Sequence, residues 1–247
     1  MIYDCHCHLD FYSDEKIAKV IENANKNKVG AIIVNSVNLK SLKRIFELSE
    51  KYPLIKISAG LYPEHNLNLK KYQEFEKFVK QHKKQIIAIG EIGLDSTEKL
   101  DMKIQEQIFR KQLDLAKELG LPVLIHSRKQ EAEVIEILNS YPKLIKIMHC
   151  FHGKLKLLDN VDKNTYFSIP TNVVRSEHFQ KMLLILSKDR FLTETDTPYL
   201  SPYKDIRNNE SSFIVESIKI ISKLWKLPKK QTEKHLEETF KYIFSIK

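Results

Sequence analysis

The sequence predicts an α/β protein: a (β/α)8 TIM-type barrel in which residues 1–247 form a single domain. Two observations carry this expectation. Short apolar runs alternate with amphipathic stretches eight times along the chain. At five of the runs a ligand-type residue follows directly: His6 and His8, Glu91, His126, His149 and Asp196. These lie at strands 1, 4, 5, 6 and 8, which meet at one site only if the sheet closes, because strands 1 and 8 are neighbours only in a ring. The alternation also permits an open doubly wound sheet, but sites there cluster at one switch point, and no G-x-G-x-x-G follows the first strand.

Strand 1 is expected at 2–7, an apolar run that ends in the first two histidines. A helix follows at 14–28, where Ile17, Val20, Ile21 and Ala24 recur at helical spacing and Asp14 suits a cap or a first turn. Strands are expected at 31–35, 55–59, 86–90, 121–125, 144–149, 165–168 and 190–194. Helical patterns fill the intervals at 39–51, 69–83, 103–119, 129–140, 154–160 and 176–187. The helix at 103–119 has a clear stop, with Gly120 just past its end and Pro122 beyond. Helices at 211–226 and 229–246 close the chain, separated by Pro228. Residues 196–211 lack periodicity and read as a long final loop, the kind of segment that carries function.

Composition narrows the function classes. With 42% hydrophobic residues the chain can bury a substantial core, and no apolar stretch approaches the ~18 residues of a membrane span. Charge and histidine appear by residue 4, unlike a signal peptide, so a cytoplasmic protein without a membrane partner is expected. Cys5, Cys7 and Cys150 are too few, and odd in number, for a disulfide framework. Cys5-x-Cys7 is better read as packing than as a ligand pair, because strand side chains alternate away from His6 and His8. The net charge of +9 favours an anionic partner, although lysines are spread along every predicted helix.

The candidate residues have the right chemistry for a metal site. His6 and His8 share one strand face and reach one cation. Glu91 has two oxygens and can bridge two cations; otherwise it requires a buried salt bridge, since Glu is seldom buried without a partner. His126 and His149 offer imidazole nitrogen, the commonest nitrogen ligand of transition metals. Asp196, beside strand 1 in a closed ring, can join His6 and His8 on a cation and accept a proton from bound water. Arg128 and Arg207 are candidate phosphate contacts, with rim salt bridges as the alternative. Tyr199 and Tyr203 can stack on an unpaired base, with loop packing as the alternative.

Together these motifs resemble the TatD-type metal-dependent deoxyribonucleases, a branch of the amidohydrolase-like barrels. The resemblance runs through "DCHCHLD" at 4–10, "GEIGLD" at 90–95, "PVLIHSR" at 122–128, "HCFHG" at 149–153 and "TETDTPYL" at 193–200. It implies a DNA substrate and two divalent metal ions, with His6, His8 and Asp196 on one, His126 and His149 on the other, and Glu91 bridging. Asp196 and Glu91 are then the catalytic residues. Mixed nitrogen and carboxylate ligation favours Zn2+, Mn2+ or Co2+, while the resemblance implies that Mg2+ supports cleavage; the metal stays open. Two departures stand out. Tyr62 replaces the histidine of the family's G-x-H-P, with His65 three residues on as a substitute substrate contact. Ser211 replaces a usual proline. Two other functions fit the same residues: hydrolysis of a small-molecule ester, lactone or amide, and a catalytically silent DNA-repair-associated binding protein. Oligomeric state is left open.

Overall fold

The computed structural model describes residues 1–206 and 208–246. Its eight strands are β1 Ile2–Cys7, β2 Val29–Asn35, β3 Ile55–Ala59, β4 Ile86–Asp95, β5 Val123–Arg128, β6 Lys146–His149, β7 Thr165–Pro170 and β8 Phe191–Glu194. They lie in one sheet in chain order, with parallel pairing between β1 and β2, β3 and β4, β4 and β5, β5 and β6, and β7 and β8. The ring is nearly closed where β8 returns to β1. There Thr193 donates to the Tyr3 carbonyl at 2.7 Å, and the Asp196 amide donates to the His6 carbonyl at 2.9 Å. The fold is therefore the expected parallel α/β barrel.

Between the strands lie α1 Asp14–Lys26, α2 Leu39–Lys51, α3 Leu69–His82, α4 Met102–Leu119, α5 Glu131–Asn139 and α6 Glu177–Ile185, and α7 Ile214–Trp225 and α8 Lys229–Phe244 follow β8. Ser13, not Asp14, caps α1 by accepting from the Lys16 amide, and Asp14 sits in the first turn where the helix dipole favours an acid. Ile17, Val20, Ile21 and Ala24 are the buried stripe of this helix, as their spacing requires. Burying each of the larger three stabilises by about 1.5–3 kcal/mol. α4 starts at the Asp101 cap and ends at Gly120, whose φ of 67° suits the left-handed cap position.

Two expectations are corrected. Residues 154–160 do not form an α-helix: Leu155–Asn160 is a 3-10 turn that buries only Leu158, too little apolar surface to hold a longer helix. Strand 4 does not stop at residue 90 but runs on to Asp95, because Gly93 lets β4 stay paired with β5 as far as Arg128.

By packing, the chain divides into two compact units: 1–34, 48–56 and 167–247 in one, and 35–47 and 57–166 in the other. The first carries β1 and β8 with α7 and α8 against them; the second carries β4, β5 and β6 with α4 against β4. Among the described residues, no helix is long and apolar enough to cross a membrane.

Candidate metal centre

In the first unit, hydrogen bonds between β1 and the segment after β8 bring His6, His8 and Asp196 together. The His8 amide donates to the Thr197 carbonyl at 2.8 Å, in step with the Asp196-to-His6 bond. Asp4 secures the same edge from within: it accepts from the Thr195 amide at 2.9 Å and from the hydroxyls of Thr195 and Ser211, each at 2.7 Å. Burial pushes the Asp4 carboxyl up to about 7, against these bonds from Ser211 and Thr195 that favour its charged form. Ser211, where the resemblance has proline, thus gives a buried acid a donor that proline lacks. Asp196 itself has a φ of 56°, a left-handed conformation that aspartate tolerates better than most residues. Its Oδ1 lies 3.5 Å from Nε2 of His6 and 3.7 Å from Nε2 of His8. His6 and His8 are buried, while Asp196 keeps some exposure.

In the second unit, Glu91, His126 and His149 form a tighter set. Glu91 Oε1 lies 2.8 Å from Nδ1 of His126 and 3.0 Å from Nε2 of His149, and those two nitrogens are 3.3 Å apart. The Glu91 backbone is held by Ser36, whose carbonyl accepts from the Glu91 amide at 3.1 Å. On the far side of the His126 ring, Nε2 lies 3.0 Å from Asp95 Oδ2. Burial works against a charged His126, but its hydrogen bonds to Asp95 and Glu91 prevail and raise its pKa. Asp95 is also buried, yet hydrogen bonds from His126, Thr97 and Tyr62 hold its carboxyl below the usual range.

Both sets fit a divalent cation by donor chemistry. The ligand atoms of Glu91, His126 and His149 all lie within 4.8 Å of one another. Bonds of about 2.0–2.2 Å to a common cation put donor atoms roughly 3–3.5 Å apart, close to the spacings in both sets. A cation would stand in for a proton between Glu91 Oε1 and His126 Nδ1, which lie 2.8 Å apart. The protein's part is to hold these nitrogens and oxygens in place.

The remaining candidates are scattered. Tyr62 is half-buried; its hydroxyl donates to Asp95 at 2.5 Å and its ring meets His126 edge-on with centroids 4.9 Å apart. His65 is exposed, so Tyr62 itself and not His65 occupies the space beside His126. Arg128 is exposed at the end of β5. Tyr199 is exposed three residues past Asp196, and its amide donates to the Asp196 carbonyl at 2.8 Å. Tyr203 packs edge-on against Phe213 at 5.0 Å. Arg207 lies outside the described residues. Sequence reasoning placed Asp4 and Asp95 inside the motifs but gave neither a role. The signal for Asp95 was its place four residues after Glu91, on the same strand face.

Comparison with known proteins gives the family. The family model of TatD related DNase matches residues 3–245. The chain is 34% identical to the uncharacterized metal-dependent hydrolase MJ1582 of Methanocaldococcus jannaschii, over 90% of this chain and 89% of that one. It is 32% identical to human deoxyribonuclease TATDN3, over 84% of this chain and 81% of that protein. Its fold matches the crystal structure of YjjV, a TatD homologue from Escherichia coli, with a TM-score of 0.90 and 21% identity, covering 100% of this chain and 98% of the other. Strand order, ligand chemistry and these similarities agree: the chain belongs to the TatD-related DNase family of metal-dependent hydrolases.

Proposed function

We propose that the chain is a divalent-metal-dependent phosphodiesterase that cleaves DNA, with the whole chain acting as one hydrolase barrel. The observation that carries this is that each of two His/carboxylate sets, His6/His8/Asp196 and Glu91/His126/His149, brings its nitrogens and oxygens to ligand spacing in the C-terminal halves of its strands or just beyond them. Barrel enzymes gather their sites at that end. In this proposal the six residues would hold two cations, drawn from Mg2+, Mn2+, Zn2+ or Co2+, with Glu91 contributing to both. Such cations supply charge stabilisation at the phosphoryl oxygens and a more acidic attacking water. Asp196, which keeps some exposure beside two buried imidazoles, would take the proton of the attacking water on its carboxylate and give it to the leaving alcohol oxygen. His6, His8, His126 and His149 are held by their strands, so little reorganisation accompanies the reaction. The net charge of +9 and the likeness to human deoxyribonuclease TATDN3 support a nucleic-acid substrate. Tyr199, Tyr203, Arg128 and Arg207 are the strand contacts of this proposal, and the cytoplasm is its location.

A substrate panel tests it. Single-stranded DNA, duplex DNA, RNA, a small phosphodiester and a small carboxylic ester are each incubated with the protein and one added metal. Metal-dependent DNA cleavage is the expected result. Ester hydrolysis without DNA cleavage would move the function to small molecules, and hydrolysis of nothing would leave a binding protein.

A further inference from the structure

Tyr62 and Asp95 converge on one nitrogen of His126 from outside the metal cluster. Asp95 Oδ2 accepts from the Tyr62 hydroxyl at 2.5 Å and lies 3.0 Å from His126 Nε2. The other oxygen, Oδ1, is taken by the Thr97 amide at 2.7 Å and the Thr97 hydroxyl at 2.6 Å. Asp95 is wholly buried and therefore has no bulk water to exchange partners with.

Helix α4 fixes both ends of the Tyr62–Asp95 bond. The Gln112 side chain accepts from the Leu61 amide at 2.8 Å and donates to the Leu61 carbonyl at 3.1 Å, one residue before Tyr62. The Gln105 side chain does the same for Asp95, at 2.9 and 3.0 Å. Both glutamines are buried. They stand seven residues apart, two turns, on one helix face. A buried amide that satisfies a backbone donor and acceptor together leaves the strand end little freedom.

We infer that Tyr62 is a positioning residue: through Asp95 it aims His126 Nδ1 at Glu91 and His149, and so sets the metal affinity of that half of the site. A phenol has one proton to give, and here Asp95 receives it. The charged Asp95 keeps a lone pair for His126 Nε2–H. That bond fixes the ring orientation and leaves Nδ1 as the ligand atom. Partners of this kind typically change metal affinity about 10–100-fold when removed. A hydroxyl committed to Asp95 is also withdrawn from substrate, so Tyr62 acts on the metal and not on phosphate. This inference rests on the metal-centre proposal above.

Calorimetric titration with Zn2+ or Co2+ tests it, using metal-free wild type, Tyr62→Phe, Asp95→Asn and the double variant. His149→Ala identifies which binding class belongs to the Glu91/His126/His149 set. Tyr62→Phe is expected to weaken that class about tenfold and leave the His6/His8/Asp196 class unchanged. Adding Tyr62→Phe to Asp95→Asn is expected to cost little more, because the tyrosine acts only through Asp95. Unchanged affinity, equal weakening of both classes, or full additivity in the double variant would each overturn the inference. Wild type that takes up no metal would overturn the metal-centre proposal as well, an outcome distinct from wild type and Tyr62→Phe binding equally tightly.

Discussion

Gly93 on β4 and His126 on β5 approach so closely that a Cβ on Gly93 would stand 1.9 Å from the His126 carbonyl oxygen. Gly93 also has a φ of 151°, which L side chains rarely adopt. Between Glu91 and Asp95, the chain therefore presses its backbone against the residue that both carboxylates address.

Gly93→Ala is expected to destabilise the protein by about 3 kcal/mol, because overpacking and backbone strain add at one position. Urea denaturation of the metal-free protein measures it. A change within about 0.5 kcal/mol, typical of a surface site, would mean that β4 and β5 part without cost.

Asp95→Asn is expected to cost the metal-free protein about 1.5–3 kcal/mol near neutral pH, the range for a hydrogen bond to a charged group. The folded pKa of Asp95 lies below its ordinary value, so its contribution is present above the unfolded carboxylate pKa and is lost as pH falls toward the folded one. His126 is shifted up, so its contribution is full below the unfolded imidazole pKa and is lost as pH rises through the folded one. The gap in melting temperature between wild type and variant should therefore be widest at mildly acid pH and narrow on both sides. A gap independent of pH would assign the loss to packing.

Asp196→Asn should keep much of the bound metal, since an amide oxygen can still coordinate, and should lose most turnover, since an amide is no base. General-base removal typically costs about 10²–10⁴-fold in rate. The check is kcat at saturating metal; a value near wild type would take the proton-transfer role away from Asp196.

If a DNA strand is the substrate, apparent affinity for an oligonucleotide should fall steeply as salt rises, because bound phosphates release counterions. A small phosphodiester should show little salt dependence. Flat profiles for both would remove the argument from the +9 charge.

The two sets, His6/His8/Asp196 and Glu91/His126/His149, were legible because each member ends or extends an apolar run. His6 and His8 could be paired from the two-residue strand period alone. Asp95 was hidden because strand 4 was expected to stop at residue 90, whereas Gly93 allows β4 to continue. Gln105 and Gln112 look like ordinary polar positions of an amphipathic helix; only their partners, the backbones of Asp95 and Leu61, reveal them as buried clamps. Ser211 stands out in the sequence only as a departure from a usual proline, because its partner Asp4 is over two hundred residues away. The 3-10 turn at Leu155–Asn160 kept the apolar content of a helix without the length to sustain one.

The central claim is that the two His/carboxylate sets form one dinuclear centre joined by Glu91. Metal content after dialysis against Mn2+ or Zn2+ measures it most directly, in wild type, His8→Ala, His149→Ala and Glu91→Ala. Wild type should retain two ions per chain, the two histidine variants should each lose mainly one, and Glu91→Ala should lose both. A Glu91→Ala protein that keeps one ion as tightly as wild type would contradict the bridge and leave two separate sites.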